Sequence, residues 1–107
     1  RIDGDGAHER SFVYVEDLAA AHVLALAPAA KNRTYNLEAN EPISIRRLAE
    51  TVGALVGNTE VTFGPSRPGD YRAKRVSSER ARKELGWKPR FDFAQGLQRT
   101  LEWYRQQ

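Results

Sequence analysis

The sequence predicts a small mixed α/β domain, with about four helices and three short strands. Three observations lead there. Strand-like and helix-like runs alternate along the chain. Two of the helix-like runs carry apolar residues on one face at helical spacing. A length of 107 residues with 40% apolar content provides for one modest core and not for two.

Residues 1–10 read as a turn-rich loop, with Gly4 and Gly6 free to adopt angles other residues avoid. Ser11–Val15 (Ser-Phe-Val-Tyr-Val) is aromatic and β-branched and predicts the first strand. Asp17 is placed to cap a helix over 17–27 that is apolar nearly all round and stops at Pro28. A helix with so little polar surface should be buried on several sides, and this short chain offers little to cover it. Arg33–Leu37 predicts a second strand. Ser44 then caps a helix carrying Ile45, Leu48, Ala49, Val52, Leu55 and Val56 on one face, ended by Gly57-Asn58.

Val61–Phe63 predicts the third strand, and 64–71 a loop with two prolines. Ser77 or Ser78 opens a short helix ending near Leu85-Gly86. Asp92 with Gln95 forms a capping box for the last helix, whose covered face should be Phe93, Leu97, Thr100, Leu101 and Tyr104. Trp87 and Trp103 are expected to anchor packing between these two helices. His22 is expected in the core and His8 on the surface. No repeat, low-complexity tract or linker is evident, so 1–107 reads as one lobe.

Composition excludes several functions. Cysteine is absent, which rules out disulfides and thiolate metal sites and fits a reducing, cytoplasmic setting. His8 and His22 match no metal-ligand spacing, so no metal site is expected. No run approaches the length of a membrane span. The chain opens on Arg1, inside what reads as a loop, and is expected to be a piece of a longer protein.

The formal charge of +3 is unevenly spread. Residues 67–90 hold nine Lys or Arg against three Asp or Glu; the remainder holds eight against eleven. Such a field favours anionic ligands. The basic run lacks the interleaved aromatics that stack bases, so nucleic acid is the lesser reading. Arg10 and Arg67 are the sharper candidates. Arg10 ends the glycine-spaced turn, and Arg67 opens Arg67-Pro68-Gly69-Asp70 after the third strand-like run. A guanidinium is a permanently charged fork suited to phosphate oxygens, and two of them on loops would suit a diphosphate.

Several segments in order resemble the extended short-chain dehydrogenase/reductases, the NAD-dependent epimerase/dehydratase family. They are Gly4-Asp5-Gly6 with Arg10–Ala19; Tyr35-Asn36-Leu37 with Ile43-Ser44-Ile45; Arg67-Pro68-Gly69-Asp70; and Ala81–Pro89 with Gly96-Leu97 and Thr100–Tyr104. The similarity is nearest to the UDP-glucose 4-epimerase branch and covers nearly the whole chain. It implies the C-terminal, nucleotide-sugar-binding lobe of such an enzyme. By the family pattern, Arg10 and Arg67 reach the diphosphate, Phe12 lies beside the nucleotide, Ile45 lies against the base, and Asp70 accepts from ribose hydroxyls. Lys74 stands where the family commonly has a tyrosine.

The family oxidises the sugar C4 hydroxyl by hydride transfer to NAD and returns the hydride to the opposite face. Its glycine-rich NAD loop and its Tyr/Lys pair are absent here, since none of the four tyrosines has Lys four residues on. Gly4-Asp5-Gly6 precedes a predicted strand, so it is not read as a dinucleotide loop. The resemblance therefore implies no catalytic or cofactor-binding residue in this chain. NAD would be held by an N-terminal Rossmann domain of the same protein, against which 1–27 would pack. The resemblance also implies a UDP-sugar as partner; separately, the apolar face of helix 17–27 gives an expectation of association with another copy, as a homodimer. The isolated chain is expected to be inactive. The alternatives are a 4,6-dehydratase or decarboxylase of the same superfamily, a non-catalytic sugar-nucleotide-binding module, and, last, a basic nucleic-acid-binding domain.

Overall fold

A computed structural model describes residues 1–57, 59–69 and 76–107. Asn58, Asp70 and Lys74, which carry sequence expectations, lie outside the described residues. Two compact units are formed: Arg1–Ser11 with Glu41–Lys74, and Phe12–Asn40 with Arg75–Gln107. The element order is β1 (Ile2–Asp3), β2 (Glu9–Arg10), α1 (Val15–Leu24), a 3-10 turn (Pro28–Ala30), β3 (Ile43–Ser44), α2 (Ile45–Val56), β4 (Phe63–Gly64), α3 (Glu79–Leu85) and α4 (Phe93–Arg105). The small mixed α/β class with four helices and short strands is as expected; the strand positions are not.

The first unit contains both ladders. β1 runs parallel to β4, pairing Ile2 with Phe63 and Asp3 with Gly64. β2 runs antiparallel to β3, pairing Glu9 with Ser44 and Arg10 with Ile43. Among the described residues, Ile2 and Ile43 are its buried apolar side chains. The strand expected over 11–15 is absent: the β2–β3 ladder ends at the Arg10–Ile43 pair, while Phe12 and Val13 belong to the second unit, the Phe12 ring on Phe93 and Val13 against the Trp87 core. The third expected strand shrinks to Phe63–Gly64. α2 starts where expected: the Ser44 hydroxyl accepts the Arg47 N–H at 3.0 Å, and Gly57 ends it at φ +78°.

The second unit packs around Trp87, Ala21 and Ala81, with Val13, Tyr35, Leu37 and Leu85 against them. Residues 33–37 form no strand. No described segment pairs with them as a strand, and their apolar side chains pack into this core. Asp17 is not the cap of α1. Tyr14 holds that place without a side-chain bond, and Asp17 sits in the first turn, 2% exposed. Its two side-chain oxygens accept the backbone N–H groups of Arg90 (2.9 Å) and Phe91 (3.2 Å). Its carbonyl accepts the Trp87 indole N–H at 2.8 Å.

α3 ends at Gly86, which is left-handed at φ +68°. Its start is served by Ser77, whose hydroxyl accepts the Glu79 N–H at 3.1 Å; Ser78 occupies the cap position without a side-chain bond. The Asp92/Gln95 capping box is complete, with bonds of 2.8 and 3.0 Å. α4 covers Phe93, Gly96, Leu97, Thr100 and Leu101 as a face. Tyr104 and Trp103 depart from expectation. Both lie in the last turn, beyond the covered face, and Trp103 is 56% exposed with its ring edge-on to Tyr104. His22 is also exposed, its Nδ1–H donating to the Leu18 carbonyl at 2.7 Å. Along α1 only Asp17 and Ala21 are buried; Val15, Val23 and, just beyond the helix, Leu26 are exposed.

Candidate functional site

Arg10 and Arg67 both belong to the first unit. Arg10 is fixed by its ladder position opposite Ile43, and its Nη1 donates to the Glu9 carbonyl at 2.8 Å. Arg67 lies three residues beyond the end of β4. Its side chain is 66% exposed, and its Nε stands 3.5 Å from Asp3 Oδ2.

The 4–8 turn ties these segments into one unit. Gly4 N–H donates to the Gly64 carbonyl at 2.8 Å, and a Cβ on Gly4 would lie 3.1 Å from the Ser66 hydroxyl. At its other end, a Cβ on Gly6 would lie 3.1 Å from the Arg46 Cβ, and Gly6 holds φ +76°. A side chain there would meet both crowding and the left-handed penalty.

That same turn uses up the start of α2. The Ile45 N–H donates to the His8 carbonyl at 2.8 Å and the Arg46 N–H to the Gly6 carbonyl at 2.9 Å. Arg47 N–H is taken by Ser44. A free helix N-terminus binds anions through such amides; here three of them are already bonded. These three amides are thus not open to an anion. The Arg46 guanidinium covers the Phe63 ring at 5.2 Å and donates to the Asp5 carbonyl at 3.2 Å.

The glycine turn does not fit a dinucleotide. It follows a strand, β1, which the sequence reading did not anticipate. It leads into β2, however, and not into a helix, and its glycines are pressed against Ser66 and Arg46. A dinucleotide loop needs the opposite arrangement, with glycines open to pyrophosphate at a helix start.

Of the other sequence candidates, Ile45 is half-buried at the first position of α2 in the same unit. Phe12 belongs to the second unit, its ring 5.7 Å from that of Phe93. Asp70 lies outside the described residues. Sequence reasoning missed Asp3. Nothing local marks it, because its proximity to Arg67 arises from the pairing of residue 3 with residue 64. Among the described residues no group of three or more His, Asp or Glu could hold a metal ion, and no helix is long and apolar enough to cross a membrane.

Residues 1–100 match the family model described as GDP-mannose 4,6 dehydratase. A UDP-glucose 4-epimerase from Mycolicibacterium smegmatis is 37% identical over 106 residues, 98% of this chain and 34% of that protein. Among solved structures, the UDP-glucose 4-epimerase of Thermotoga maritima, determined with UDP-glucose, matches with a TM-score of 0.88 and 28% identity. That match covers 99% of this chain and 35% of the other. The Bordetella bronchiseptica enzyme WbmF, in complex with NAD+ and UDP, matches with a TM-score of 0.83 and 32% identity over 99% of this chain and 31% of its own. The chain spans about a third of the length of these relatives. With a family-model match over almost its entire length and a shared fold with solved members, the chain belongs to the extended short-chain dehydrogenase/reductases that act as epimerases and dehydratases.

Proposed function

We propose that this chain is the part of an NAD-dependent nucleotide-sugar 4-epimerase, of the UDP-glucose/UDP-galactose type, that holds the nucleotide diphosphate. The observation that carries the reading is the presence of Arg10 and Arg67 in one compact unit, on segments joined through the 4–8 turn. The amides at the start of α2 are bonded internally, which leaves the guanidiniums as the groups suited to phosphate. Ile45, in the same unit, is the proposed apolar contact to the base. Phe12 and Asp70 stand in the proposed set on the sequence pattern alone.

The role of these residues is positional. Binding energy from the non-reacting nucleotide fixes the sugar where the chemistry occurs. NAD would provide the hydride acceptor and donor, held by an NAD-binding domain of the same protein. The exposed apolar side chains Val15, Val23 and Leu26 support packing of 1–27 on that domain. A homodimer of the whole protein is a further part of the reading. The UDP preference is supported by the 37% identity to an epimerase of that substrate.

A charge-assisted contact to phosphate contributes about 1.5–3 kcal/mol. In the full-length protein Arg67→Ala should therefore weaken UDP at least about tenfold by calorimetry. An unchanged dissociation constant would remove Arg67 from the site. A second reading, a 4,6-dehydratase, is favoured by the description of the matching family model, and a decarboxylase of the same superfamily stands beside it on the sequence pattern alone. Turnover of UDP-glucose and of dTDP- and GDP-sugars by the full-length protein separates the two. A protein that binds these sugars and converts none would be a binding module.

A further inference from the structure

We propose that Asp3 is a positioning residue for Arg67, orienting its guanidinium and thereby setting the affinity for diphosphate. The inference rests on the reading of Arg67 as a diphosphate contact. Asp3 is held on both sides by backbone bonds: Ile2 N–H to the Thr62 carbonyl at 2.6 Å and Gly4 N–H to the Gly64 carbonyl at 2.8 Å. Its carboxylate therefore has a fixed base beside the end of β4, from which the Arg67 segment departs. One oxygen stands 3.5 Å from Arg67 Nε, and the other is 3.1 Å from Arg1 Nε.

The less exposed partner holds the more exposed one. The Asp3 side chain is 31% exposed against 66% for Arg67. A long exposed arginine samples many rotamers, and a contact on its Nε edge restricts the direction in which its terminal nitrogens point. Restricting a rotamer-rich side chain before the ligand arrives lowers the ordering cost of binding.

A carboxylate near a phosphate site could equally act by repulsion. The geometry argues against that, because the Asp3 charge is met by two guanidiniums and the Arg1–Asp3–Arg67 cluster keeps a net positive charge. The two possibilities differ in sign. Removing a positioning group weakens binding; removing a repelling charge strengthens it.

The test is calorimetric titration of UDP into the full-length protein and its Asp3→Asn, Asp3→Ser, Asp3→Glu, Arg67→Ala and Asp3→Asn/Arg67→Ala variants. Asp3→Asn should weaken UDP about threefold, within the range of an exposed ion pair. Asp3→Ser, a second uncharged variant should Asp3→Asn fold poorly, should do the same. Asp3→Glu should recover most of the loss. With Arg67 already replaced, Asp3→Asn should have no further effect. Unchanged or tighter binding in Asp3→Asn, alongside a tenfold loss in Arg67→Ala, overturns the positioning role and leaves the diphosphate reading intact. An equal loss with and without Arg67 overturns it too. No loss in Arg67→Ala itself removes the reading on which the inference rests.

Discussion

The second unit closes over a buried polar residue, whereas the first is held by two two-residue ladders, a glycine turn and exposed ion pairs. In the second, Asp17 is almost wholly enclosed and gathers three donors from residues 87–91, on top of a core centred on Trp87. In the first, Ile2 and Ile43 are the buried apolar residues among those described, and the Arg1–Asp3–Arg67 ion pairs are open to water, most of all on the arginine side. Enclosed polar bonds are costly to break, because the orphaned groups cannot turn to solvent. Exposed ones contribute little to stability and are available for recognition. Substitutions of enclosed polar groups in the second unit should thus register as the larger loss of folding, and those of the exposed arginines in the first as lost binding.

The largest expected effect is at Asp17. Asp17→Ala leaves two backbone N–H groups without their acceptor and should cost roughly 2–4 kcal/mol. Urea unfolding followed by tryptophan fluorescence measures it. A loss under about 1 kcal/mol would mean that the enclosed carboxyl is not the tie the geometry describes. Ser44→Ala should cost about 1 kcal/mol by removing the cap of α2. If that loss equals the loss at Asp17, the contrast between the units fails.

The smallest effect is at Tyr35. Partial burial, then the hydrogen bond its hydroxyl donates to Glu84 at 3.1 Å, holds its phenol above the ordinary value. A raised folded value means stabilisation that is present below the unfolded pKa and lost as pH rises through the folded one. Absorbance titration should show the Tyr35 phenol ionising above the ordinary tyrosine value, and Glu84→Gln should bring it earlier.

The legible parts of the fold were those encoded within a few residues. The Ser44 cap, the Asp92/Gln95 box and the Gly57 and Gly86 stops each depend on side chains or backbone angles at the helix end itself. Strands depend on partners. Phe12–Val15 has strand composition and forms no strand: the ladder ends at the Arg10–Ile43 pair, and Phe12 and Val13 pack within the second unit instead. Residues 33–37 have the composition too and pack into a core instead. Asp17 was misread for the same reason: its acceptor role is defined by residues more than seventy positions away. For the site, family pattern singled out Arg10 and Arg67. Asp3 was invisible, since only the β1–β4 register brings it to Arg67.

The most direct test of the central claim is a crystal structure of the full-length protein with UDP. The account predicts Arg10 and Arg67 nitrogens within about 2.7–3.2 Å of oxygens of one diphosphate. A diphosphate bound with either guanidinium directed elsewhere would contradict it.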